Sequence, residues 1–319
     1  MSTSVFDAVI VGGGGAGLSA AIYTARANLS TLLLERLMPG GQIASTDLVE
    51  NYPGFPEGIL GPEIARRMES QAVKCGARIG YEDVKRILPQ ENSHFIIETA
   101  ANRYQTRAVI LAMGSSFRML GLPNEKELIG KGVSYCATCD GAFFKGKELV
   151  VVGGGDSALQ EGIFLTKFAS RVSIVHRRDK LRASPVLQER ARSNVKIHFI
   201  WDTVVDKIEG SGKVESVTLR NVKSQVTENL KTDGVFVFIG HDPNSGLVKG
   251  LVEIDNHGYV LADNGYKTSV PGIFAAGEVR RGSVRQLIAA CGEGCGAALA
   301  LQNYLENPQT GFAEQRRLL

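Results

Sequence analysis

Residues 8–36 and 149–178 are two copies of one pattern, AVIVGGGGAGLSAAIYTARANLSTLLLER and LVVVGGGDSALQEGIFLTKFASRVSIVHRR. In register, Gly12 falls on Gly153, Gly14 on Gly155 and Gly17 on Ala158. Each copy is a β-branched apolar run, a glycine turn, a helix-like stretch of small and apolar residues, then a second apolar run. That order predicts a βαβ unit whose helix opens at the glycine turn. Gly12 permits the tight turn, Gly14 lets the backbone approach a pyrophosphate, and Gly17 or Ala158 lets helix and strand come close. Phosphates then lie against the free amides of the helix start. Two such sites in 319 residues predict an α/β protein of two Rossmann-like three-layer domains.

The copies part where one nucleotide is told from another. The first ends in Glu35, 18 residues beyond Gly17, where a carboxylate accepts hydrogen bonds from adenosine ribose hydroxyls. At the same offset the second has His176, followed by Arg177, Arg178 and then Arg182. A carboxylate there repels a 2′-phosphate, whereas guanidinium groups pair with it in forked geometry. The first site therefore suits FAD or NAD and the second NADP. Elsewhere such a basic run reads as a solvated turn; its place at the end of this strand reverses that.

Between the two sites lies Tyr135-Cys136-Ala137-Thr138-Cys139-Asp140-Gly141. A CxxC is a zinc half-site, a redox pair or coincidence. Structural zinc needs four ligands, and the chain has no second CxxC, no HxxxH and only scattered histidines, so no metal is expected. Redox chemistry needs only two thiols close enough to bridge, one of them reactive toward an outside disulfide. Asp140 beside the second thiol is a proton donor and acceptor for that exchange. Cys291 and Cys295, spaced i,i+4 among Ala and Gly, read as small hydrophobes of a close-packed helix. Cys75 has no partner in sequence.

Composition narrows the partners. Lys plus Arg number 36 against 33 Asp plus Glu, a net charge of +3 that gives no support to a nucleic-acid partner. Hydrophobic residues make up 44%, enough for a packed core. No apolar run approaches the ~18 residues of a membrane span. The start, MSTSVFDAVIV, lacks a basic segment and carries Asp7 within its apolar stretch, unlike a signal peptide. Five cysteines make no disulfide scaffold in a chain of this length. A soluble cytoplasmic protein is expected.

Two further segments stand out. Pro271 to Val279 reads as a short strand reaching a glycine turn and Glu278, with a helix predicted from about Val284. A carboxylate there binds ribityl hydroxyls or caps the helix; the residues alone leave both open. Gly40-Gly41-Gln42 and Glu50-Asn51-Tyr52-Pro53-Gly54-Phe55 form a turn-rich loop after the second strand.

With these motifs in this order, the sequence resembles the low-molecular-weight, bacterial-type thioredoxin reductases over about residues 5–306. The resemblance rests on the Gly12–Gly17 loop, Gly40-Gly41-Gln42, Glu50 to Gly54, and Cys136-Ala137-Thr138-Cys139-Asp140. It continues through Gly153 to Ala158, His176-Arg177-Arg178-Asp179, Arg182-Ala183, Ala276-Gly277-Glu278 and Arg285-Gln286. It implies an FAD domain of two segments, 1–117 and 248–319, and an inserted NADPH domain, 118–247, carrying the CxxC. It also implies a homodimer, thioredoxin as partner and a swinging NADPH domain, for which Gly114 and Gly240 are candidate hinges. The FAD residues so implied are Gly12, Gly14, Gly15, Ala16, Gly17, Glu35, Arg36, Gly41, Gln42, Asn51, Gly114, Glu278, Arg285 and Gln286. Those for NADPH are Gly153, Gly155, Asp156, Ser157, Ala158, His176, Arg177, Arg178 and Arg182. In the implied reaction Cys139 is the flavin-side sulfur, Cys136 attacks the thioredoxin disulfide, and Asp140 handles the proton.

This chain departs from the pattern in places. Glu278 replaces the usual Asp, Met113 the usual Thr, and Gln160-Glu161 a pair of carboxylates. A tail from Asn307 to Leu319 extends beyond the usual end; disorder is expected of it in preference to Phe312 covering a flavin. Rival readings are a small-molecule dithiol oxidase and a ferredoxin-fed reductase, both opposed by Ala158 and the arginines. A flavin redox sensor is the third, separated from a reductase by whether the protein turns over.

Overall fold

The computed structural model describes residues 5–46, 48–90 and 94–307; the tail from 308 onward, with Phe312, lies outside them. Six α-helices occur among the described residues: α1 (Gly15–Arg26), α2 (Gly61–Lys74), α3 (Ala137–Asp140), α4 (Asp156–Leu165), α5 (Pro185–Arg192) and α6 (Leu287–Glu306). The chain divides into two compact units, one of residues 1–116 and 242–319, the other of 117–241.

The first unit is built on a mixed sheet. Phe6–Val11 lies between Thr31–Leu34 and Arg103–Leu111, parallel to both, and Ile273–Ala275 adds parallel to the end of Arg103–Leu111. Alternate residues face opposite ways. Ala8, Ile10, Leu33, Ala108 and Ile110 meet Leu18 and Ala21 of α1 and Ala298 and Leu301 of α6. Val9, Val11, Leu32, Leu34 and Val109 meet Val248, Val260 and Val279 on the other side. Burial on both faces explains why these strands read as unbroken apolar runs. Each fully buried Leu or Ile here contributes roughly 1.5–3 kcal/mol. α1 and α6 approach closely because their contact is made of small residues. A Cβ at Gly294 would stand 2.1 Å from the Ala16 carbonyl oxygen.

The second unit repeats the device. A parallel sheet runs in the order Val133–Ser134, Gly234–Val237, Glu148–Val152, Arg171–Val175, Ile197–Ile200. An antiparallel sheet of Thr203–Glu209, Ser216–Asn221 and Thr227–Lys231 accompanies it. Both predicted βαβ repeats are present. In the first, α1 connects Phe6–Val11 to Thr31–Leu34; in the second, α4 connects Glu148–Val152 to Arg171–Val175.

α6 starts at Leu287, later than the predicted Val284. Arg285 takes a left-handed backbone, φ 59°, and Gln286 stands at the N-cap position without a side-chain capping bond. No helix is long and apolar enough to cross a membrane among the described residues.

Candidate active site

A disulfide joins Cys136 and Cys139, with S–S 2.06 Å and Cα–Cα 5.3 Å. Strand Val133–Ser134 delivers the first cysteine to the start of α3, where it caps the helix through sulfur. Cys136 Sγ accepts the Cys139 N–H at 3.2 Å and lies 3.4 Å from Thr138 Oγ1. The Cys139 N–H is the one backbone donor to either sulfur of the pair among the described residues. Asp140 closes the same turn. Its Oδ2 accepts the Ser134 hydroxyl at 2.5 Å, and Ser134 Oγ in turn accepts the Cys136 N–H at 3.1 Å. Ser134 is buried. It therefore ties the carboxylate to the backbone of the reactive cysteine.

The preceding residue is pinned as firmly. Tyr135 Oη donates to Glu125 Oε1 at 2.6 Å, and Glu125, wholly buried, also accepts the N–H groups of Leu120, Gly121 and Leu122. Four donors satisfy the hydrogen-bonding capacity of this buried carboxyl group. Burial, then the Glu125 carboxylate, push the Tyr135 phenol up, so it stays a neutral donor. Its ring stacks on Phe117 at 4.8 Å.

In the first unit the glycine turn forms a cradle. Gly12 has φ +102°, and a Cβ there would meet the Ala112 carbonyl oxygen at 2.5 Å. A Cβ at Gly17 would lie 1.8 Å from Gly12 O, whereas Gly14 faces open space. Gly14 caps α1 with no side-chain partner, leaving the first-turn amides for an anion. Glu35 Oε2 accepts the Gly13 N–H at 2.7 Å and Oε1 the Leu37 N–H at 3.1 Å, while Arg36 is exposed. The turn at Gly40-Gly41 docks on the same loop through Gly40 N–H to Gly13 O at 2.7 Å.

Phe6–Val11, Arg103–Leu111 and Ile273–Ala275 run parallel, so Gly12, Gly114 and Glu278 emerge at one edge of the sheet. There Glu278 Oε2 accepts Ser115 Oγ at 2.5 Å and Gln42 Nε2 at 3.3 Å. Asn51 Nδ2 donates to Gln286 Oε1 at 3.1 Å, and Arg285 donates to Tyr259 Oη at 3.1 Å. Glu293, buried on α6, accepts the Gly277 N–H at 2.8 Å and pairs with Arg280 at 3.3 Å, fixing the turn that carries Glu278.

In the second unit, Gly155 faces open space at the start of α4, and a Cβ at Gly153 would meet Phe238 O at 2.5 Å. The loop after Val175 folds back onto this turn. Arg182 and Ala183 donate their N–H groups to Gly154 O, and Ser184 N–H reaches Asp156 Oδ1 at 2.6 Å. His176 is buried against Gly154, with Nε2 3.0 Å from Lys180 O. Burial first, then the three nearby arginine charges, hold its imidazole below the usual range. Arg177, Arg178 and Arg182 are exposed and form no ion pair among the described residues. Glu161 Oε2 on α4 is buried without a hydrogen-bond partner among the described residues, and burial pushes that carboxyl up.

A family model for pyridine nucleotide-disulphide oxidoreductases matches residues 6–294. The chain belongs to that family. The thioredoxin reductase of Bacillus subtilis (strain 168) is 51% identical, with 96% of each chain covered. That of Listeria innocua is 48% identical over 95% of this chain and 94% of its own. The crystal structure of thioredoxin reductase from Streptococcus pyogenes is 44% identical and superposes with a TM-score of 0.91, covering 96% of this chain and 100% of that one.

In this pyridine nucleotide-disulphide oxidoreductase, the structure brings Gly12, Gly14, Ala16, Gly17, Glu35, Gly41, Gln42, Glu278 and Gln286 to one unit. It brings Cys136, Cys139, Asp140, Gly153, Gly155, Ala158 and the arginines to the other. Ser134, Ser115, Glu125 and Glu293 were not singled out by the sequence reading. The available signal was chemical: a serine inside an apolar strand and a lone carboxylate inside an Ala/Gly helix.

Proposed function

We propose that this chain is an NADPH-dependent, FAD-containing thioredoxin reductase that works as a homodimer in the cytoplasm. The observation that carries the reading is the Cys136–Cys139 disulfide, with Cys136 Sγ held by the Cys139 N–H and Ser134 joining Asp140 to the Cys136 backbone. The residues present fit both nucleotides. Open space before Gly14 and Gly155, closed backbone behind Gly12 and Gly153, and unpaired helix-start amides suit two pyrophosphates. The three exposed arginines suit a 2′-phosphate and favour NADPH over the rival oxidase and ferredoxin readings. The exposed Ile288, Gly292 and Leu299 on α6, beside half-exposed Tyr23 of α1, support the homodimer.

Bound FAD supplies a hydride acceptor able to reduce a disulfide. The first-turn amides of α1 would hold its pyrophosphate, Glu35 its adenosine ribose and Glu278 its ribityl chain. With two electrons and one proton delivered, the Cys136–Cys139 bond opens to a Cys139 thiol and a Cys136 thiolate under the Cys139 N–H. Cys136 attacks one sulfur of the thioredoxin disulfide, and the other leaves as a thiolate that takes up the Cys139 proton through Asp140, leaving Cys139 as the thiolate. Cys139 then displaces thioredoxin from the mixed disulfide, closing the pair again and releasing the second reduced sulfur. Anaerobic mixing with NADPH and thioredoxin tests this: rapid flavin bleaching followed by many turnovers is expected. One slow reduction without turnover would favour the sensor.

A further inference from the structure

Glu278, Ser115 and Gln42 close a small ring of hydrogen bonds at the end of the first unit's sheet. Ser115 Oγ donates to Glu278 Oε2 at 2.5 Å, and Gln42 Nε2 donates both to that oxygen at 3.3 Å and to Ser115 O at 2.7 Å. Ser115 is only 4% exposed, so its hydroxyl has little water to turn to. Gln42 is held in turn, because its backbone carbonyl accepts the Thr46 hydroxyl at 3.1 Å. Both bonds to the Glu278 carboxylate fall on Oε2. Oε1 accepts none among the described residues.

We propose that Ser115, with Gln42, is a positioning residue that adapts a glutamate to a site where an aspartate is usual. The two donors take Oε2, fix the extra methylene in one rotamer, and leave Oε1 turned to a ribityl hydroxyl. A carboxylate on a longer stem must be immobilised before it can hold a ligand, and bonds made within the protein do this in advance. Shortening the stem withdraws the carboxylate from Ser115, so the serine matters only while position 278 is Glu. This rests on the flavin reading of the site.

The experiment is a double-mutant cycle on FAD affinity, read by quenching of flavin fluorescence when FAD is titrated into flavin-stripped protein. The four proteins are wild type, Ser115→Ala, Glu278→Asp and the double variant. Ser115→Ala should weaken FAD about tenfold beside Glu278, the loss of one hydrogen bond to a charged group, and less than twofold in the Glu278→Asp background. Ser115→Cys, close in volume but a poor donor, should behave as Ser115→Ala, separating the lost bond from a packing defect. Equal weakening in both backgrounds, or none beside Glu278, would overturn the assignment of Ser115 while leaving the flavin site intact. Wild type that takes up no FAD would overturn the flavin reading, and this proposal with it.

Discussion

Ser134 Oγ donates a 2.5 Å hydrogen bond to Asp140 Oδ2 and accepts the N–H of Cys136, so one buried hydroxyl couples the Asp140 carboxylate to the backbone of Cys136. Removing it takes away the hydroxyl donor to Asp140 Oδ2 and the acceptor of the Cys136 N–H. A hydrogen bond to a charged group contributes roughly 1.5–3 kcal/mol, or about ten- to a hundredfold in rate. Ser134→Ala should slow thioredoxin turnover by that factor and leave flavin reduction by NADPH unchanged in stopped-flow traces. Equal slowing of both steps would mean that Ser134 supports the fold and not the acid.

The cysteines divide by role. Cys136→Ser and Cys139→Ser should each abolish thioredoxin reduction while NADPH still bleaches the flavin. Hydride arrival needs no thiol, but disulfide exchange needs two. Cys291 is buried, hydrogen-bonded by Ser19 and Tyr52, and burial pushes its thiol up, away from reactivity. Cys291→Ser and Cys295→Ser should therefore keep turnover within about twofold. Loss of turnover on changing the α6 pair would move the redox centre to it.

Arg177 and Arg182 are exposed with no carboxylate partner among the described residues. Replacing both with alanine should raise the KM for NADPH about a hundredfold and leave that for NADH nearly unchanged. Two charged hydrogen bonds at about 1.5 kcal/mol each give that factor. A parallel rise for both coenzymes would show that the arginines do not read the 2′-phosphate. Arg178 would alternate with Arg177 if the strand continued through them. It ends at Val175, so both point to solvent.

His176 gives a pH dependence with a definite sign. Its folded pKa lies below the 6.5 of the free imidazole, so the unfolded chain binds the extra proton first. Stability is full above pH 6.5 and is lost as pH falls through 6.5 toward the folded value. The slope is at most about 1.4 kcal/mol per pH unit. Thermal midpoints of wild type should drop between pH 7.5 and 5.5, and those of His176→Gln should drop less. Identical slopes in the two proteins would exclude His176 as the source.

What was legible in the sequence was whatever the backbone itself demands. Gly12, Gly17 and Gly153 are forced by atoms within 3 Å of where a Cβ would stand, one of them the Ala158 methyl, and such positions leave a fixed spacing. Val9 and Ile10 declared a doubly buried strand because both faces of the sheet are covered. Ser115, Ser134 and Glu293 left no such trace. Their importance comes from meeting Glu278, Asp140 and Gly277, and partnership of that kind has no period. The start of α6 was misplaced for a local reason: Gln286 is a weak signal for a cap, and Arg285 takes a conformation a sequence rarely advertises.

Val109 pairs with Ile273, and α6 lies against α1, so the first unit draws its core from both ends of the chain. During synthesis the ribosome releases residues 117–241 before the strand and helix that complete the earlier segment exist. The redox unit, whose sheet and hydrophobic clusters use only its own residues, can fold while the nucleotide cradle at Gly12 still lacks α6. The Gly15–Leu287 and Ala16–Gly294 contacts can form only after residues 287–294 have been made. Growth on the ribosome thus exposes the whole disulfide-bearing unit while the Gly12 cradle still lacks the wall that α6 supplies.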